Sequence, residues 1–122
     1  MQRLPLFILL LLFVLQGCGV GNRAARSPET DALLQAARAG NADTVKALLS
    51  SPNVNINGVD ENGNTPLIEA ARFGHDDVVT ALLIAKADVN VKNAQGKSAL
   101  TLAAENGHDE TVRMLTQAGA GK

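Results

Sequence analysis

Residues 60–92 read DENGNTPLIEAARFGHDDVVTALLIAKADVNVK, and residues 93–122 return to the same pattern at an offset of 33. Gly63/Gly96, Leu67/Leu100, Ala70/Ala103, Ala71/Ala104, Gly74/Gly107, His75/His108, Val79/Val112 and Leu82/Leu115 all coincide. The segment before it, Asp31 to Leu49, matches at an offset of 34 through Leu33, Ala36, Ala37, Arg38, Gly40, Val45, Leu48 and Leu49. Self-similarity at such a period marks a stack of small units, none of which buries its apolar face alone.

Each unit carries its own start and stop signals. Asp31, Thr65 and Ser98 share one register position, and all three residue types favour a helix N-cap. Ala32, Pro66 and Ala99 follow at the first helical position, where proline is tolerated. The distance from these caps to Gly40, Gly74 and Gly107 predicts first helices of about eight residues. Asp43, Asp76 with Asp77, and Asp109 with Glu110 then open a second helix, where negative charge meets the positive end of the dipole. Val45-Leu48-Leu49 and Val78-Val79-Leu82-Leu83 give these second helices an apolar face at helical spacing. Val54 to Gly58 and Val89 to Val91 read as short extended links, with Asn62-Gly63 as a turn.

The order Gly63-Asn64-Thr65-Pro66-Leu67, Ala70-Ala71, Gly74-His75, Val78-Val79 and Leu82-Leu83 resembles the ankyrin repeat. The resemblance runs from Asp31 to about Ala120. It implies an all-α solenoid of three helix-turn-helix units with short hairpin-like connecting turns, in repeats at about 30–59, 60–92 and 93–122. Ankyrin repeats usually carry His after Thr-Pro-Leu, and here Ile68 and Thr101 stand in its place. That His makes turn-to-helix hydrogen bonds in the family; without it and with only three repeats, the body is expected to be modestly stable, melting below about 90 °C. The ends read as caps: Thr111 replaces Val78 and Thr116 replaces Leu83, where a further repeat would otherwise pack.

Ahead of the repeats, MQRLPLFILLLLFVLQG at residues 1–17 has a basic start and a Leu-dominated run of 12 residues, Leu4 to Leu15. A spanning helix needs about 20 apolar residues, so the run reads as a cleaved secretory signal. Leu15-Gln16-Gly17-Cys18 resembles the lipobox of bacterial lipoproteins, with Gln16 a departure from its usual small or β-branched residue. That resemblance implies cleavage before Cys18 and acylation of Cys18, anchoring the chain through several acyl chains. The alternative is an ordinary secretory signal that leaves Cys18 a free thiol. Gly19, where an inner-membrane retention signal would place Asp, points to the outer membrane facing the periplasm. Residues 18–29 then read as acylated Cys and flexible tether, with Arg23 and Arg26 solvated or touching anionic headgroups. As the sole cysteine, Cys18 has no partner for an internal disulfide.

Composition narrows the function further. Phe73 is the one aromatic after residue 17, since Phe7 and Phe13 lie in the leader. Of 11 Lys and Arg, Arg3 is in the leader, which leaves 10 against 12 acidic residues. Nucleic-acid binding wants a basic stripe and stacking aromatics, so it is not expected. Gly96-Lys97-Ser98 imitates a phosphate loop, but Val91 stands where that loop needs its first Gly. His75-Asp76-Asp77 and His108-Asp109-Glu110 could supply metal ligands, yet helices packed about 8–10 Å apart hold them too far from one ion. No nucleophile–base pair or dry carboxylate cleft emerges, so neither catalysis nor a cofactor is expected.

What remains is the binding face that the family resemblance implies: the projecting turns and the exposed end of each first helix. On this chain those positions are Arg38, Glu61, Asn62, Asn64, Arg72, Phe73, Gln95, Lys97, Glu105 and Asn106, with Ala39 and Ala94 beside them. Arg38 and Arg72 should stack one repeat apart next to Phe73, residue types common at interface hot spots. The alternative leaves both arginines merely solvated and Phe73 tucked between repeats. The expected protein is a lipid-anchored monomer that binds another envelope protein as scaffold or stabiliser. An immunity-type inhibitor of a delivered toxin is the first alternative, and an envelope structural protein binding lipid or cell wall is the second.

Overall fold

A computed structural model describes residues 27–120 of the chain. The leader, Gln16, Cys18, Gly19, Arg23 and Arg26 lie outside the described residues. Six helices follow in pairs: α1 (Pro28–Ala39) with α2 (Ala42–Leu49), α3 (Pro66–Phe73) with α4 (Asp76–Ile84), and α5 (Ala99–Glu105) with α6 (Asp109–Gln117). The first helices stack α1 on α3 on α5, and the second helices stack α2 on α4 on α6. This is an all-α repeat solenoid.

Local signals set most helix ends where the sequence places them. Thr65 accepts from the Ile68 N–H and Ser98 from the Thr101 N–H, each satisfying an otherwise orphaned donor. Gly74 ends α3 at φ 71°, where a side chain would also collide: a Cβ there would lie 2.5 Å from His108 Nδ1. The first helix departs from expectation. It runs 12 residues, and Ser27 caps it in place of Asp31, which sits inside its first turn. Ser27 Oγ accepts from the Thr30 N–H at 3.2 Å and donates to the Asn53 carbonyl at 2.9 Å. Pro28 supplies a helix-ready φ, and the buried Thr30 hydroxyl accepts from the Asn55 N–H at 2.9 Å. The extra turn is thereby tied to the first connection, and Ser27 to Glu29, read as tether, belong to this capped helix.

The core is small side chains in layers. Leu33, Leu67, Ile68, Val78, Val79, Leu82 and Leu115 are almost fully buried, with Ala37, Ala70, Ala71 and Ala103 between them. Each large aliphatic contributes about 1.5–3 kcal/mol. Burial is most complete in α3, where every residue from Pro66 to Ala71 is covered because repeats flank it on both sides. Ile68 joins this core in place of the expected His, while Thr101 is exposed.

The caps are only partly as expected. Thr116 is exposed and bonds the Val112 carbonyl of its own helix at 2.8 Å. Thr111, however, is buried and donates to Asp76 Oδ1 in the preceding repeat. It faces inward because its register position is that of Val78, part of the inter-helix contact, and the hydroxyl finds a carboxylate there.

Candidate functional site

The edge formed by turns and first-helix ends is built from two kinds of bond. Asp60 Oδ1 accepts from the Asn62 and Asn64 N–H groups at 2.8 and 3.0 Å, closing one turn. Asn93 Oδ1 accepts from the Gln95 and Lys97 N–H groups at 2.9 and 3.0 Å, closing the same turn one repeat on. The turns are then joined: Ala94 N–H donates to the Asn62 carbonyl at 2.9 Å, and Asn93 Nδ2 to Asn64 Oδ1 at 2.9 Å. Asn64 is only 4% exposed, so its side chain spaces the turns and offers nothing to a partner. A small polar residue in a turn reads as surface in the sequence, but the neighbouring turn covers this one.

The histidines fix the helix ends. His75 Nε2 donates to the Arg38 carbonyl at 3.0 Å, and His108 Nε2 to the Arg72 carbonyl at 3.1 Å. Each ties a second helix to the last turn of the preceding repeat's first helix, satisfying a carbonyl the helix leaves open. Beside His75, a cavity of about 360 Å³ is lined by Gly40, Gly74, His75, Asp76 and Asp77. Among the described residues, no group of three or more His, Cys, Asp or Glu side chains converges as a metal site would require.

Those helix ends carry the arginines, and a residue the sequence reading missed organises them. Glu69 lies in the middle of α3 and is 1% exposed. Arg38 Nε donates to Glu69 Oε2 at 2.7 Å, and Arg38 Nη2 to Asp60 Oδ2 at 3.3 Å. The hydrogen bond with Glu69 raises the Arg38 pKa above its ordinary value, against partial desolvation, with the Glu69, Asp60 and Glu61 charges adding to the rise. Arg72 differs. Its Nη1 stands 3.7 Å from Glu69 Oε1, beyond hydrogen-bond range, and Oε1 accepts from none of the described residues. The Arg72 guanidinium lies 5.3 Å from the centre of the Phe73 ring, within cation–π range. Phe73 is 45% exposed and packs its other contact against His75, ring centres 6.1 Å apart.

The remaining candidate residues divide. Glu61, Asn62 and Gln95 have exposed side chains. Lys97 Nζ is paired with Glu105 Oε1 at 2.9 Å. Asn106 Nδ2 donates to the Leu102 carbonyl at 2.8 Å and finishes α5. Arg38, Arg72 and Phe73 therefore form one cluster around Glu69, and Lys97 with Glu105 a second. Glu69 escapes a sequence reading because its partner Arg38 is 31 residues earlier.

Comparison with known proteins agrees with this architecture. Residues 5–93 match the family model described as ankyrin repeats (three copies), and residues 95–121 match that of the ankyrin repeat. Human ankyrin repeat domain-containing protein 29 is 40% identical over 66 residues, 54% of this chain and 22% of that protein. Rat oxysterol-binding protein-related protein 1 is 48% identical over 62 residues, 50% of this chain and 6% of that protein. Cortactin-binding protein 2 of Ornithorhynchus anatinus is 38% identical over 80 residues, 63% of this chain and 4% of that protein. The chain thus spans less than a quarter of the length of these relatives. By its repeats, its stacked helix pairs and the family models that match it, the chain belongs to the ankyrin-repeat family.

Proposed function

We propose that this chain is a protein-binding module that works by holding another envelope protein near a membrane, as scaffold or stabiliser, and brings no chemistry of its own. Ankyrin repeats act as protein–protein interaction modules, which supports the binding half of this reading. The observation that carries it is the half-exposed Phe73 beneath the Arg72 guanidinium, on an edge shared with the exposed Asn62 and Gln95. Exposed aromatic and arginine side chains side by side are the composition of interface hot spots. The double change Arg72→Glu with Phe73→Ala should abolish capture of the partner and leave helical content unchanged. Capture that survives it moves the interface elsewhere.

The membrane half rests on the sequence Leu15-Gln16-Gly17-Cys18. Acylation of Cys18 would hold the repeats at the outer membrane, facing the periplasm, through more than one acyl chain. Cys18→Ser should release the mature protein from the membrane fraction. Retention of that variant in the membrane would overturn the anchor.

A further inference from the structure

Two arginines stand on the same edge, and their surroundings set them apart. Arg38 is committed: its Nε bonds Glu69 Oε2 and its Nη2 bonds Asp60 Oδ2. Both carboxylates are nearly covered, with side chains 1% and 10% exposed. Arg72 makes no side-chain hydrogen bond among the described residues. It shares the Glu69 carboxylate only through space, at 3.7 Å, and that carboxylate already bonds Arg38. The N–H donors of Arg72 are therefore free of side-chain hydrogen bonds among the described residues, whereas Nε and Nη2 of Arg38 are engaged.

The local packing orients Arg72 without using its donors. Phe73 lies under the guanidinium, and the buried Oε1 of Glu69 attracts one end of it. The guanidinium is a rigid fork of five N–H donors, suited to taking a carboxylate through two parallel bonds. Its neighbour Phe73 is the only exposed aromatic surface among the described residues. The equivalent positions in the other repeats are Ala39 and Asn106, so the pair occurs once in the stack.

We infer that Arg72 and Phe73 form a two-part reading site for a protein segment carrying an Asp or Glu side chain next to an apolar one. The carboxylate docks on Arg72, and the apolar neighbour covers Phe73. Glu69 is a positioning residue: it holds Arg38 in the scaffold and leaves Arg72 outward. This deepens the protein-binding reading above and rests on it. The alternative sites are weaker. The cavity beside His75 offers only a histidine and acidic side chains at a helix start, and nothing marks what would cover Ile84, 74% exposed at the end of α4.

The test is selection of a randomised peptide library on the immobilised full chain, followed by binding measurements on one selected peptide and its amide form. Acidic residues next to apolar ones should be enriched. Exchanging the peptide's carboxylate for the amide should weaken binding about tenfold to a hundredfold, as loss of a charged hydrogen bond does. In Arg72→Gln the same exchange should change nothing, a coupling that a purely structural role for Arg72 does not produce. Arg72→Lys should recover only part of the preference, because it keeps the charge and loses the fork. Equal effects of the exchange in wild type and Arg72→Gln would overturn the inference. Enriched peptides without carboxylates would also overturn it while leaving protein binding intact. No enrichment over bare matrix would count against both.

Discussion

Arg38 and Glu69 face each other across a repeat boundary, the guanidinium Nε 2.7 Å from a carboxylate that solvent scarcely reaches. A buried carboxylate is costly unless paired, so this contact prevents a penalty more than it adds stability. Arg38→Ala strands the Glu69 charge and should lower unfolding stability by about 2 kcal/mol, less than for a fully buried pair because Arg38 is half exposed. Glu69→Leu copies Leu102, the residue at the same position in the third repeat. It should stay within about 1 kcal/mol of wild type, or exceed it. Urea unfolding measures both, and a loss above about 2 kcal/mol for Glu69→Leu would make the pair a net stabiliser.

Thr111 and Thr116 look alike as capping substitutions, but the structure separates them. Thr111 is buried against Asp76, and Thr116 is exposed. Thr111→Lys should cost more than about 3 kcal/mol, since it forces a charge into the inter-repeat contact. Thr116→Lys should fall within about 0.5 kcal/mol of wild type. Similar small effects at both sites would put Thr111 on the surface.

Lys86 holds φ at 71°, the one positive value outside glycine among the described residues. Gly119, 33 residues on, takes φ 102° at the matching position. The left-handed region costs an L-residue roughly 1–2 kcal/mol, and glycine's extra freedom when unfolded offsets part of the gain. Lys86→Gly should therefore raise stability by about 0.5–1 kcal/mol, seen as a melting shift of several degrees. An unchanged or lower melting temperature contradicts the strain.

The two Nε2 bonds to Arg38 and Arg72 carbonyls make His75 and His108 inter-repeat clamps. His75→Ala or His108→Ala should each cost about 1–2 kcal/mol, the penalty for an abandoned acceptor plus lost packing. Addition of zinc should leave the melting temperature of wild type unchanged, because the histidines serve different carbonyls. A zinc-dependent rise removed by His75→Ala would reveal a metal role.

What was legible in the sequence follows from how locally each feature is determined. Thr65 and Ser98 cap their helices through bonds three residues long, and Gly74 needs only its own φ, so short motifs revealed them. Ser27 was hidden because period matching put the first cap at Asp31, though Ser27-Pro28 is itself a start signal. Glu69, Asn64 and Thr111 depend on residues one repeat away. Arg38, Asn93 and Asp76 decide whether each is exposed or buried, and no pattern within a single helix carries that information. The repeat register alone brings Arg38, Arg72 and Phe73 to one edge, while the unequal standing of Arg38 and Arg72 depends on Glu69 between them.

The claim that the turn and first-helix edge is the working surface is tested most directly by photo-crosslinking in intact cells. A photoreactive residue would replace Phe73, Gln95 or, on the second-helix layer, Ile84. The account predicts the same protein adduct from positions 73 and 95 and none from 84. An adduct from 84 alone, with 73 and 95 silent, would contradict it.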